Sequence, residues 1–264
     1  RVLALGGSRG VDGDSPIGLD TASILRADGR PGAYVFDAID RMRGPRVDAA
    51  AVVVRDSGTD YDGKVVVFGA PSVIDRRSGL ISIDLDADAL DEARDAGVPE
   101  VFDPAADSWS DGPDDEVLRR NAARGHHCVV QLGDRLAVIG GIVFDEQGGL
   151  GLRATGEIDL MDLNGGDTVQ GAALAETRWA HTCSVLPDGR VLAVGGAQVP
   201  TNAVTYPETE LVEVYDPVQD RWTSVGDLVP GRADHVAVPL PDGRVLVAGG
   251  LTALDTVAPL KSLS

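Results

Sequence analysis

The strongest constraint on this chain is a period of 54 residues. Arg178-Trp-Ala-His181 is followed by Leu186-Pro-Asp-Gly-Arg190 and Gly195-Gly196, and the same order returns as Arg232-Ala-Asp-His235, Leu240-Pro-Asp-Gly-Arg244 and Gly249-Gly250. One step earlier, Arg124-Gly-His-His127 and Gly140-Gly141 keep the arginine spacing with a hairpin one residue shorter. A period of this kind means that one supersecondary unit is copied along the chain and that each copy buries its apolar faces against its neighbours.

The unit reads as four short strands. A stretch such as Cys183-Ser-Val-Leu or Val236-Ala-Val-Pro-Leu alternates small and apolar residues, then turns at Asp-Gly, where positive φ is cheap for glycine. A second run, Val191–Val194 or Val245–Ala248, ends in the glycine pair. Glu210-Leu-Val-Glu-Val-Tyr-Asp216 supplies a third strand, and Trp222, six residues after Asp216, marks a fourth. The spacing recurs at Asp103 with Trp109 and at Asp28 with Tyr34, the latter favouring 21–27 as a third strand over 33–37. In the remaining unit Asp162 keeps the register but Thr168 replaces the aromatic.

These residues resemble the Kelch-repeat family, whose hallmarks are a glycine pair ending the second strand and an aromatic, often Trp, on the fourth. The resemblance covers essentially the whole chain. It implies an all-β fold, a Kelch-type β-propeller of four-stranded antiparallel blades around a channel, with the first strand of each blade innermost. Taken as one propeller domain over residues 1–264, the units divide into partial blade 1 (1–44), blade 2 (45–118), blade 3 (119–173), blade 4 (174–227) and partial blade 5 (228–264). Blade 1 lacks its inner strand, and the register places the third strand of blade 5 near position 265. About five blades are therefore wholly or partly present, and the expectation is a segment of a six- or seven-bladed ring.

A residue present in every unit is most simply structural, whereas one that departs from the repeat is a better functional candidate. Arg124, Arg178 and Arg232, with His127, His181 and His235, recur near the start of the inner strand. They tie loop backbone between blades, or the arginines bind carboxylates or sugar hydroxyls at the channel mouth, while shared metal ligation by the three histidines is disfavoured because neighbouring blades hold equivalent positions well apart. Between each Arg and His lie residues that vary: Gly125-His126, Trp179-Ala180 and Ala233-Asp234. Of these, His126 suits acid–base chemistry near neutral pH, Asp234 accepts hydrogen bonds, and Trp179 stacks on a sugar or seals the core. Ordinary loop decoration is the alternative for all three. The candidate ligand-binding set is thus Arg124, His126, Arg178, Trp179, Arg232 and Asp234.

Blade 2 departs most, since Arg46 to Arg124 spans 78 residues. Its enlarged connection contains Asp84, Asp86 and Asp88, three alternating carboxylates that resemble the start of a calcium loop. Ala89 stands where such a loop needs glycine, and Asp95 replaces its final Glu. The competing reading is a short solvated helix over 89–96 capped by Asp88. No cofactor is expected, calcium on these weak ligands being the one exception.

The two cysteines show no CxxC spacing. Cys128 lies one residue after the recurrent His and Cys183 two after it, so alternation sends them to opposite faces of their sheets. Adjacent blades pack opposite faces together, which leaves two readings: a disulfide between blades 3 and 4, or two buried small residues.

Charge narrows the partners. With 42 acidic and 23 basic residues the formal net charge is -19, a surface that repels phosphate backbones and disfavours nucleic acid. The acids are 33 Asp to 9 Glu and the bases almost all Arg, a bias that suits a high-salt surface or a GC-rich genome. No apolar run approaches the roughly 18 residues of a membrane helix, so membrane insertion is not expected. Arg1 to Ser8 already reads as a strand and offers no targeting segment, so an extracellular or cell-surface setting comes from family analogy alone.

The leading functional expectation is a noncatalytic propeller that binds a protein or a carbohydrate through its inter-blade rim and the blade 2 loop. The alternative is the propeller of a carbohydrate-active enzyme, such as the copper radical oxidases resembling galactose oxidase or the sialic acid mutarotases. Tyr34, Tyr61, Tyr206 and Tyr215 match no copper-ligand motif of the oxidases. No Ser-His-Asp, zinc or phosphate-loop signature is present, and no catalytic residue is assigned.

Overall fold

The structure, a computed structural model, describes residues 2–9, 17–30, 33–44, 46, 49–69, 98–120, 124–144, 152–198, 207–252 and 261–262. Asp84, Asp86 and Asp88 lie outside the described residues. The chain forms two compact units, Arg1–Arg55 with Tyr61–Gly125, and Asp56–Asp60 with His126–Ser264.

In the first unit, strands β1 (Val2–Leu5), β2 (Ser8–Arg9), β3 (Ile17–Gly18), β4 (Ala22–Ala27) and β5 (Tyr34–Ile39) give a three-stranded antiparallel sheet in the order β1-β4-β5 and the small β2-β3 pair. Then β6 (Ala50–Val53), β7 (Val65–Phe68), β8 (Glu100–Asp103) and β9 (Ser108–Asp111) form a four-stranded antiparallel sheet in chain order, followed by the short helix α1 (Glu116–Arg120). Ile24, Val65, Val67 and Phe102 are buried between these two sheets, with Leu3, Leu5 and Trp109 packed against them.

The second unit repeats the pattern. Strands β10 (Cys128–Leu132), β11 (Arg135–Ile139), β12 (Ile142–Phe144), β13 (Leu152–Ala154), β14 (Ile158–Asp162) and β15 (Val169–Gly171) give a β10-β11-β14-β15 sheet, the β12-β13 hairpin extending its central connection. Next come β16 (Thr182–Val185), β17 (Val191–Val194), β18 (Leu211–Asp216) and β19 (Arg221–Asp227), again four-stranded in chain order. Last are the pairs β20 (Val236–Pro239) with β21 (Val245–Ala248) and β22 (Leu251–Thr252) with β23 (Lys261–Ser262). Val130, Ala137, Ile139, Ile158 and Leu160 from one sheet meet Val191, Ala193 and Tyr215 from the next in a single buried cluster. Four-stranded antiparallel sheets stacked face to face in this way are a propeller-type fold, as the repeat predicts.

The recurrent residues explain the stacking. Asp28, directly after β4, and Asp103, Asp162 and Asp216, each the last residue of a third strand, accept a backbone N–H two residues on, at 2.9, 2.8, 2.7 and 2.9 Å, which pins the turn into the fourth strand. The fourth-strand tryptophans reach back to the preceding sheet: Trp109 Nε1 donates to the Asp40 carbonyl and Trp222 Nε1 to that of Ala172, both at 2.8 Å.

The glycine pair is the tightest joint. Both members have positive φ at 140–141, 195–196 and 249–250. The second glycine donates its N–H to the carbonyl of the next recurrent arginine: Gly7 to Arg46 at 2.7 Å, Gly141 to Arg178 at 2.8 Å and Gly196 to Arg232 at 2.8 Å. The first has no room for a side chain, because a Cβ on Gly195 would lie 2.5 Å from the Arg232 carbonyl oxygen. By contrast, a Cβ on Gly189, in the Leu186–Arg190 turn, would meet nothing within 4 Å. Gly189→Ala is therefore expected to cost about 1–2 kcal/mol for its left-handed backbone alone. Gly195→Ala adds the clash and is expected to cost more than about 3 kcal/mol. Urea midpoints of the two variants check this; equal losses would show that the joint tolerates a methyl group.

Candidate functional site

Within the second unit, the recurrent arginines Arg178 and Arg232 form the base of the candidate site. Arg178 is fully buried, and its guanidinium serves its own sheet: Nη1 donates to the carbonyls of Gly195 at 3.2 Å and Leu211 at 2.8 Å, and Nη2 to Glu213 Oε2 at 2.5 Å. The other carboxylate oxygen of Glu213 accepts the Ala175 N–H at 3.0 Å. Arg46 repeats this device in the first unit, donating to the Gly69 carbonyl, to that of Val98 at 2.9 Å and to Glu100 Oε2 at 2.7 Å, while Glu100 Oε1 accepts the Arg43 N–H at 2.7 Å. Burial lowers the pKa of both guanidinium groups, and the carboxylates of Glu213 and Glu100 oppose that shift. Arginine still stays charged, so each pair is a buried ion pair whose remaining hydrogen-bonding capacity is met by backbone. Arg232, half-buried, donates to the Gly249 carbonyl at 2.9 Å.

The arginine side chains thus stay within their own repeat, while their backbone carbonyls cross to the preceding one. The histidines cross with their side chains. His235 Nε2 lies 2.8 Å from Thr182 Oγ1, and His181 Nε2 lies 3.2 Å from Cys128 Sγ, each contact reaching the first residue of the preceding inner strand. Cys128 and Cys183 are joined by a disulfide with Cα atoms 5.8 Å apart, linking β10 to β16, so the reading of the two cysteines as merely buried small residues gives way.

Above this base runs an arc of turns. His126, Ala180 and Asp234 all adopt left-handed backbone, with φ of 52, 53 and 53°. Ala180 N–H donates to the His126 carbonyl and Asp234 N–H to that of Ala180, both at 2.9 Å. One residue earlier, Trp179 exchanges backbone hydrogen bonds with Ala197 at 2.8 and 2.9 Å, and Ala233 does the same with Leu251 at 2.8 and 3.1 Å. His and Asp are among the residues that best tolerate left-handed backbone, which gives two of the varying residues a conformational as well as a chemical reason to stand there.

The structure places the six candidates unequally. His126 and Trp179 come together with ring centroids 5.1 Å apart at 74°, edge to face. Trp179 is half-buried against Ala180, Ala197 and Ala233, and Asp234 is exposed. His126 and Arg124 are buried, as is Arg178, whose guanidinium is engaged by a carboxylate and two carbonyls of its own sheet. The arc therefore offers an aromatic face and an exposed carboxylate.

Glu100 and Glu213 were not singled out in the sequence, although a signal was there. An acid stands three residues before the recurrent Asp in three units, at Glu100, Asp159 and Glu213, and all three are buried. Only the fold shows that this position faces the arginine.

No protein-family model matches the chain, and no curated protein matches it. Among solved structures, the chain is similar to one titled "Structure of YjhT", at 15% identity and a TM-score of 0.69, covering 99% of this chain and 76% of that one. At that identity the likeness speaks to the propeller fold alone.

Two predictions follow from the buried charges. Arg178→Ala leaves Glu213 buried without its partner and is expected to cost about 3–5 kcal/mol in chemical denaturation, whereas Arg190→Ala, on an exposed pair with Asp188, should leave the denaturation midpoint nearly unchanged. The second concerns His181, whose pKa is lowered from 6.5 to about 3, chiefly by burial and further by Arg178 and His235. A depressed pKa means the unfolded chain binds the proton first as pH falls. The stability is present in full above pH 6.5 and is lost progressively toward pH 3, at up to about 1.4 kcal/mol per pH unit. The His181→Gln variant should show a shallower stability slope between pH 6.5 and 5 than the parent; parallel slopes would place the titration elsewhere.

Proposed function

We propose that this protein is a noncatalytic propeller that binds a ligand, a carbohydrate or a protein, on the arc formed by His126, Trp179, Ala180 and Asp234. The observation that carries the reading is the departure from the repeat. The arc's backbone is copied in register, yet its side chains change from His to Ala to Asp, with a tryptophan beside them. A scaffold held constant while its surface chemistry varies is how recognition sites are built on repeat folds.

The pairing of a half-buried Trp179 with an exposed Asp234 favours the carbohydrate. The apolar CH face of a pyranose stacks on indole, and a carboxylate accepts hydrogen bonds from neighbouring hydroxyls. Arg178 takes no part in this reading, because its donors are used within its sheet. Arg232 donates to the Gly249 carbonyl and supports its own repeat. The strong negative charge disfavours acidic glycans and suits neutral sugars, basic partners or partners bridged by cations. The blade 2 loop, with Asp84, Asp86 and Asp88, contributes to recognition only as a proposal from sequence.

Glycan-array binding tests this. Trp179→Ala is expected to weaken a detected glycan by about 10-fold or more, in line with the loss of one aromatic platform, and Asp234→Ala by a smaller factor. Retained binding in both variants would remove the arc from the recognition surface, and binding to protein fractions but to no glycan would favour the protein ligand. Stoichiometric copper with peroxide release, or accelerated sugar anomerisation, would overturn the noncatalytic reading.

A further inference from the structure

We propose that Cys128, Cys183 and His181 form a zinc site when the Cys128–Cys183 disulfide is reduced. The ligand atoms of these three residues lie within 4.8 Å of one another, His181 Nε2 already 3.2 Å from Cys128 Sγ. Zinc bound to sulfur at about 2.3 Å and to imidazole nitrogen at about 2.0–2.1 Å in tetrahedral geometry needs its donors about 3.5–3.8 Å apart. The sulfurs reach that separation by side-chain rotation, since the Cα atoms stand 5.8 Å apart on two rigid inner strands.

Three features select this place. First, it departs from the repeat. The next equivalent joint pairs His235 with Thr182 and has Ala237 where Cys183 stands, so only this joint of the two carries soft donors. Second, the buried imidazole is poorly served in the oxidised form. His181 Nε2 faces Cys128 Sγ at 3.2 Å, and a disulfide sulfur has no proton to offer it. A metal on Nε2 satisfies that nitrogen, as buried polar groups require. Third, two thiolates and a neutral imidazole around Zn²⁺ form a complex of zero net charge, the least costly state in a half-buried setting. The donor set is soft and lacks a carboxylate, which argues against Ca²⁺ and Mg²⁺. With three protein donors, water takes the fourth position.

The chemistry balances in two steps. A dithiol reductant gives two electrons and two protons: the Cys128–Cys183 bond breaks to two thiols as the reductant closes to its own disulfide. Zn²⁺ then displaces the two thiol protons to solvent, and His181 adds a lone pair from Nε2. The joint between β10 and β16 is cross-linked in both states, by sulfur when oxidised and by metal when reduced.

Cobalt titration of the full chain, reduced with a phosphine and kept under inert gas, tests the proposal. One equivalent of Co²⁺ should produce a thiolate-to-metal charge-transfer band, which surface carboxylates cannot give, and one equivalent of Zn²⁺ should displace it. The oxidised protein and the Cys183→Ser variant should show no such site, and His181→Ala should bind at least about 100-fold more weakly. Absence of the band in the reduced parent, binding unchanged in Cys183→Ser, or loss of the native circular-dichroism spectrum on reduction that Zn²⁺ does not restore, would each overturn the proposal.

Discussion

One backbone contact governs the rest of this structure. At Arg46, Arg178 and Arg232 the arginine carbonyl is pressed onto the glycine pair of the preceding repeat, closely enough that no side chain fits between them. That approach sets the distance between successive sheets at their inner edge. Once it is set, the apolar faces of neighbouring sheets meet at packing distance, as Ile139 and Ile158 do with Ala193 and Tyr215. The outer edges are held separately, by the fourth-strand tryptophans donating to the preceding sheet.

An arginine whose backbone is committed to one neighbour still has a side chain to place, and the fold turns it inward. A buried guanidinium is costly unless every donor finds an acceptor. The central strands supply those acceptors through the carbonyls at the loop ends and one glutamate, Glu100 for Arg46 and Glu213 for Arg178. Each glutamate also fixes the backbone three residues before its arginine, so a single carboxylate joins the incoming chain to the third strand. Charge in this protein therefore has two separate roles: an inner set of matched pairs that shape the joints, and an outer excess of acid that shapes its encounters.

The arc of left-handed turns lies next to this rigid base and inherits its regularity. Its carbonyls and N–H groups are spent on one another, which fixes where Trp179 and Asp234 project while leaving their side-chain chemistry free to vary. The same separation of scaffold and variation appears one layer down, where a threonine–histidine contact at one joint becomes a cysteine pair with a histidine at the next.

Much of this was legible in the residues. The 54-residue period located the strands, the aspartate turns and the fourth-strand tryptophans, because each depends on local backbone preference or on a residue type that recurs at a fixed offset. The approach of the two cysteines followed from strand alternation and face-to-face packing, though whether they bond did not. What the period could not say is which way a recurrent polar side chain turns. Arg178 fits a channel-mouth ligand and a buried ion pair equally well as a string of letters, and only the position of Glu213 on β18, the third strand of its sheet, decides between them. Local order is written in short-range propensity, whereas burial and pairing arise from groups far apart in the chain. For those, the stacking of sheet on sheet is the deciding physical fact.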